Sequence, residues 1–222
     1  FILGISTALP TYINSSFIED MVSVRAVGLF FLGGYLFTFF AMIFFPILIK
    51  KVGNFFSTKL VVLLNAISLL MLVIVKTPLP LFFFFSLLFI TSQLLWINMD
   101  IFVESFTDNA NTGKVRTTFF TFMNLGWIFS PTIASLLVRG ENDYSLVYIA
   151  SAIFAGIFYL VILYYKNKIS RSIEYNNFTI KHVFSDFWHD HSLRGIYFAS
   201  FFLNFFYASA VVYIPIYLNK VI

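Results

Sequence analysis

Residues 26–59, AVGLFFLGGYLFTFFAMIFFPILIKKVGNFFSTK, open with twenty-four residues that carry no formal charge (Ala26–Ile49) and then turn abruptly basic at Lys50, Lys51 and Lys59. A helix rises ~1.5 Å per residue and needs roughly 20 apolar residues to cross ~30 Å of hydrocarbon. This run is therefore long enough to span a bilayer, and its basic end suits a membrane surface. The pattern repeats on both sides. Uncharged runs cover Phe1–Ile18, Ala26–Ile49, Leu60–Val75, Thr77–Met99, Thr117–Val138, Tyr144–Tyr165 and Gly195–Asn219. The third is short, and it gains length by drawing in Phe55–Lys59 through tilting or snorkelling. Soluble helices instead alternate an apolar face with a polar one. The chain reads as an all-α polytopic membrane protein.

The basic residues orient it. The second, fourth and sixth gaps hold Lys50, Lys51 and Lys59, then Lys114 and Arg116, then Lys166, Lys168, Arg171, Lys181 and Arg194. The first, third and fifth gaps hold only Arg25, Lys76 and Arg139, and Lys220 follows the last run. Cytoplasmic loops carry the Lys/Arg excess. The N-terminus and the sixth gap are thus expected in the cytoplasm, with the chain set in the cell (inner) membrane and first emerging near Glu19 and Asp20.

Composition agrees: 60% hydrophobic, 21% aromatic and 11% charged, against about 25% charged in soluble domains. The 32 Phe residues suit a lipid-facing surface. The net charge of +4 follows the topology and forms no continuous patch, which argues against a nucleic-acid partner. With no Cys, disulfides, thiolate metal sites and cysteine nucleophiles are excluded. The chain begins at Phe1 without a charged lead or a small-residue cleavage site, so it reads as truncated inside its first span and as part of a longer protein.

Three gaps read as tight hairpins: Lys50–Lys59, Lys76 with Pro78 and Pro80, and Gly140–Asp143. Ser105–Arg116 is rich in Asp, Asn, Thr and Gly and reads as a solvated loop. The sixth gap differs, staying polar for about thirty residues from Lys166 to Arg194. Within it Ile180, Val183, Phe184, Phe187 and Trp188 keep helical spacing opposite Lys181, His182, Ser185, Asp186 and Asp190. This predicts an amphipathic helix over about 178–190, either lying in the headgroup layer with Trp188 as anchor or packed beneath the bundle. The domains are then 1–165 as a six-span half, 166–194 as a cytoplasmic linker, and 195–222 as a seventh span.

Two short motifs sit on this layout. Between the second and third spans runs Pro46-Ile47-Leu48-Ile49-Lys50-Lys51-Val52-Gly53-Asn54-Phe55, and the fifth span carries Gly126-Trp127-Ile128-Phe129-Ser130-Pro131-Thr132-Ile133-Ala134-Ser135. The plan and both motifs resemble the major facilitator superfamily, whose members join two six-helix halves through a cytoplasmic linker. The first is similar to that family's Gly-x-x-x-Asp-Arg-x-Gly-Arg-Arg, matching at Lys51 and Gly53, with Lys50 in place of the Asp and Pro46 in place of the first Gly. The second is similar to Gly-x-x-x-Gly-Pro-x-x-Gly-Gly, where Gly126, Ser130 and Pro131 would allow close helix packing and a bend. The chain would cover the first half, the linker and the opening helix of the second half.

Candidate site residues follow. Asp100 and Glu104 lie four apart, on one face at the inner end of the fourth span. With Lys50, Lys51, Gly53, Lys114 and Arg116 they form a candidate cytoplasmic gate. A proton-coupling role for Asp100 and simple snorkelling are the alternatives. Near the midplane fall Gln93, Asn124, Trp127, Asn204 and Tyr207, with Asn98 deeper on the inside and Tyr12 and Asn14 on the outer half of the first span. Transporters bind substrate near the midplane. The resemblance implies that the first, fourth and seventh spans line the cavity, favouring Gln93, Asn98, Asn204 and Tyr207 there. Otherwise these side chains serve as interhelical hydrogen-bonding groups.

His182, His189 and His191 do not match a helical metal-ligand spacing, so no metal and no cofactor are expected. The acceptor patterns at Asn14 and Asn177 lie in the wrong places to be glycosylated. The leading functional reading is a secondary transporter, and no enzyme. Its partners would be the bilayer, a small solute, and protons or another coupling ion. The alternatives are a non-transporting sensor or assembly relative, and a lipid-acting membrane enzyme, which lacks a nucleophile–base pair.

Overall fold

A computed structural model describes residues 1–107, 111–139, 143–166 and 187–221. The chain divides into two units, Phe1–Ile173 and Glu174–Ile222. The first contains α1 (Ile2–Thr11), α2 (Asn14–Met21), α3 (Val24–Val52), α4 (Asn54–Ile74), α5 (Pro78–Ser105), α6 (Thr112–Leu137) and α7 (Ser145–Tyr164); the second contains α8 (His191–Val221). Among the described residues six helices are long and apolar enough to cross a membrane: α3 to α7, and α8 over His191–Ile214.

The first apolar run is not one helix. It breaks at Tyr12 and Ile13. Pro10 supplies no backbone N–H, so the carbonyl four residues earlier loses its donor. The Ile13 N–H then bonds back to the Pro10 carbonyl at 3.1 Å, and α2 restarts with the Phe17 N–H on the Ile13 carbonyl at 2.8 Å. Neither piece has the length of a span. Together they occupy the place of one.

The expected hairpin at Lys50–Lys59 is a single residue. Helix α3 runs through Lys50 and Lys51 to Val52, and α4 begins at Asn54, taking in Phe55–Lys59. Gly53 makes the reversal with φ 80° and ψ 158°, a region essentially restricted to glycine. Helix α5 likewise continues past Met99 and carries Asp100 and Glu104, while Lys114 and Arg116 fall in the first turns of α6. Pro78 opens α5 at its N-terminus, where a missing N–H costs nothing. Residues 167–186, which hold most of the amphipathic helix read at about 178–190 together with His182 and Asn177, lie outside the described residues. Residues 187–189 are helical. Asp190 then caps α8, its Oδ1 accepting from the N–H groups of Ser192 at 2.8 Å and Leu193 at 3.2 Å.

Within the first unit, α4 packs on α5 and α7, α1 on α6 and α7, and α3 on α5. In lipid no hydrophobic driving force separates helix from solvent, so close fit and hydrogen bonds must hold such pairs. The α1–α6 crossing is set by glycine. A Cβ at Gly126 would lie 2.7 Å from the Ile5 nitrogen, and one at Gly4 would lie 2.5 Å from the Met123 carbonyl oxygen. The α3–α5 contact is aromatic. Gly33 and Gly34 leave room for Phe82 and Phe89; beside them Phe31 meets Phe85 at 5.5 Å and Tyr35 stacks on Phe89 at 4.7 Å. Each such pair contributes about 0.5–1.5 kcal/mol.

The α4–α5 and α4–α7 seams are polar. Asn54, Ser57, Thr58, Asn65 and Ser68 are buried along α4. The Asn65 Nδ2 donates to Thr91 Oγ1 at 2.9 Å and to Ser92 Oγ at 3.2 Å. Many hydroxyls are satisfied within their own helix, as Thr58 is by the Asn54 carbonyl at 2.7 Å and Thr38 by Gly34 at 2.8 Å. That is the local solution open to Ser and Thr where water is absent.

Candidate functional site

Helices α5 and α6 run antiparallel. Two contacts define their register. Arg116 pairs with Asp100, and one turn along both helices Phe120 stacks on Trp96, with centroids 6.2 Å apart and planes 15° apart. A further turn on each reaches Asn124 on α6 and Ser92 and Gln93 on α5. Gln93, Trp96 and Asp100 share a face at i, i+3 and i+7, and Arg116, Phe120, Asn124 and Trp127 share one at i, i+4, i+8 and i+11. All seven are exposed or half-buried.

The first span joins this wall at its break. The Tyr12 ring meets the Trp127 ring edge-on at 6.1 Å, and the Tyr12 hydroxyl donates to the Trp127 carbonyl at 3.4 Å. That carbonyl is available because Pro131, four residues on in the same helix, has no N–H to give it. So the proline of α6 and the broken first span meet at one point. Ser130, just before that proline, is buried and donates to the Gly126 carbonyl at 2.6 Å.

The wall thus carries an ion pair, an aromatic stack, the separate amides of Gln93 and Asn124, and a second aromatic pair. Its two charges neutralise one another. It carries amide donors and acceptors between aromatic faces.

Other expected site residues lie elsewhere. Asn98 is completely buried, and its backbone carbonyl accepts from Asn54 Nδ2 at 3.4 Å. Among the described residues, neither amide atom of the Asn98 side chain has a hydrogen-bond partner. It belongs to the α4–α5 seam and not to the face that carries Trp96 and Asp100. Asn14 is also buried, its Oδ1 accepting from the fully buried Tyr148 hydroxyl of α7 at 3.0 Å. Lys50, Lys51 and Glu104 are exposed at the helix ends. Asn204 and Tyr207 are exposed on α8 in the second unit, where Asn204 Nδ2 donates to the Ser200 carbonyl at 2.8 Å.

The reading from sequence did not single out Trp96, Phe120, Asn54, Asn65 or Tyr148. A signal existed for the seam: Asn54, Ser57, Val61, Asn65 and Ser68 recur at steps of three or four along α4, the spacing of one packed stripe. None existed for the Trp96–Phe120 stack, which depends on the α5–α6 register.

The profile of the Major Facilitator Superfamily matches residues 1–222, the whole of this chain. The chain belongs to the Major Facilitator Superfamily. No curated protein and no solved structure matches it. Membership makes this superfamily protein a membrane transporter in general terms, and its six span-length helices make it an integral membrane protein.

Proposed function

We propose that this superfamily member is a secondary transporter that moves a small solute by alternating access, coupled to protons or another ion or acting as a uniporter. The observation that supports this most is the wall formed by Tyr12, Gln93, Trp96, Phe120, Asn124 and Trp127. Polar and aromatic side chains left exposed along helices of membrane-spanning length need a water-filled or solute-filled cavity to face. Asn204 and Tyr207, exposed on α8 of the second unit, remain candidate substrate groups. The basic Lys50–Lys51 end would lie in the cytoplasm, making the Asp100–Arg116 pair and neighbouring Glu104 part of an inner gate.

Uptake by the full-length protein in liposomes tests the reading. Trp127→Ala and Asn124→Ala should each reduce transport by roughly tenfold, the effect of losing ~1.4 kcal/mol of binding. Leu136→Ala, at a strongly exposed α6 position away from the wall, should leave uptake unchanged. The proposal fails if no solute class shows flux with or without an imposed proton gradient.

A further inference from the structure

Leu79, Ser86, Gln93 and Asp100 recur at every seventh residue of α5 and therefore share one helix face. Gln93 and Asp100 belong to the wall described above. Towards the start of α5 the same face leads into a crevice of about 550 Å³, walled by Leu79, Phe82, Phe83 and Ile90 of α5 and by Phe37 of α3. That volume lies within the range of small-molecule sites, ~300–1,000 Å³.

This face differs from one that acyl chains simply cover. On α4 the exposed residues Leu63, Ile67, Leu70 and Ile74 form an unbroken aliphatic stripe, which suits hydrocarbon. The α5 face instead sets a hydroxyl, an amide and a carboxylate among its apolar residues, and acyl chains can hydrogen-bond to none of them.

Two features define what fits. The walls are held in place: the Phe82 ring lies where a Cβ on Gly33 would come within 2.6 Å of it, and it meets the rings of Phe30 at 5.2 Å and Phe37 at 6.2 Å. The second feature is the Ser86 hydroxyl. Ser86 lines the crevice and is only 5% exposed, yet among the described residues its hydroxyl has no hydrogen-bond partner. Thr91, on the same helix, bonds back to the Leu87 carbonyl at 2.8 Å. A buried hydroxyl left unpaired is costly, and a ligand atom that meets it recovers that cost.

We propose that the crevice binds an uncharged amphiphile, an aromatic ring with an alkyl chain and one hydrogen-bonding group, and that this is the class of solute carried past the wall; the second half of the inference rests on the transporter reading above. The apolar body lies among Phe37, Phe82 and Phe83, and the Ser86 hydroxyl meets the polar group. Gln93, two helical turns along the same face, is the next group the solute reaches. Among the described residues no charged side chain lines the crevice, so an ion would be desolvated there without a counter-charge, and a polyol would leave most of its hydroxyls unpaired against phenyl rings.

The probes are benzamide and its para-ethyl, para-butyl and para-hexyl derivatives, read by thermal stabilisation of the full-length protein in detergent and by uptake into liposomes. Each added methylene should tighten binding about fourfold until the chain outgrows the crevice, whereas partition into detergent rises without such a limit. Ser86→Ala should weaken every member about fivefold, the effect of one neutral hydrogen bond. Leu87→Phe, which fills the crevice from its lining, should remove the gain from chain length and keep benzamide itself. Leu70→Phe on the aliphatic stripe of α4 should change nothing. A chain-length gain that survives Leu87→Phe overturns the proposal, as does stabilisation by phospholipid and by none of the benzamides, which would give the crevice to a lipid chain. Uptake of hydrophilic solutes without benzamide binding overturns it too and leaves the transporter reading standing. Benzamide binding in the expected pattern without flux of any solute keeps the amphiphile site and removes the transporter reading.

Discussion

Gly126 and Gly53 do different work with the same missing side chain. At Gly126 the constraint is space: the backbone of α1 occupies the volume that a Cβ would need, with Gly4 and Ile5 atoms at 2.7–2.8 Å. Backbone cannot step aside as a flexible side chain can. Gly126→Ala should therefore cost about 1–3 kcal/mol through overpacking, read as a lower unfolding midpoint in detergent, whereas Gly156→Ala, with nothing within 4 Å, should have almost no effect. At Gly53 the constraint is conformation: space is open around it, but φ is 80°. Gly53→Ala should cost about 1–3 kcal/mol of backbone strain without any new contact, and the same unfolding assay measures it. Phenylalanine also divides in two. Phe30, Phe31, Phe85 and Phe89 are buried between α3 and α5, while Phe37, Phe39, Phe40 and Phe44 on the same α3 are exposed. Composition reads both groups as lipid-facing; only the contacts separate them.

Among the elements, α4 shows how polar groups hold helices where lipid surrounds them. Asn65 makes two hydrogen bonds across the α4–α5 seam, each worth ~0.6 kcal/mol on average in a membrane bundle. Asn98, equally buried, makes none with its side chain among the described residues, and a buried unpartnered amide is a cost. The two substitutions should thus differ in sign: Asn65→Leu lowers unfolding stability by about 1 kcal/mol, while Asn98→Leu leaves it unchanged or raises it. Equal losses at both positions would show that the Asn98 amide has a partner after all. The broken first span makes a related point. Pro10 was visible in the sequence, yet a proline inside an apolar run can kink a helix or end it. Here it ends one, and the Tyr12 side chain at the break reaches the carbonyl that Pro131 leaves without a donor.

For the whole molecule, alternating access requires that contacts at one end of the bundle exist in one state and open in the other. The Asp100–Arg116 pair lies within the first half and is partly exposed, so as an isolated pair it contributes only about 0.2–1 kcal/mol to stability. Its proposed effect is on populations. Asp100→Asn in the full-length protein should shift a distance distribution, recorded between labels at the Lys50 end of the first half and the facing end of the second, toward the inward-open state. Arg116→Gln should shift it the same way, and the double variant no further. Distributions that match the unsubstituted protein would remove the pair from the gate.

Much of this was legible in the chain, because membrane physics writes itself into sequence at long range. Length without charge marks a helix long enough to span, with no knowledge of neighbours. Asp100, Glu104, Arg116, Trp127 and Tyr12 could be named as candidates from position alone. Tertiary structure settled what depends on rotation and register. It turned Asn98 and Asn14 into the bundle, set Trp96 against Phe120, and brought Phe37 of α3 to the α5 crevice that Ser86 lines. The reason is physical: an apolar helix in lipid can present any face outward at similar cost. Its rotation is therefore set by the close contacts of its partners, glycine against backbone and amide against hydroxyl, and not by a hydrophobic stripe of its own.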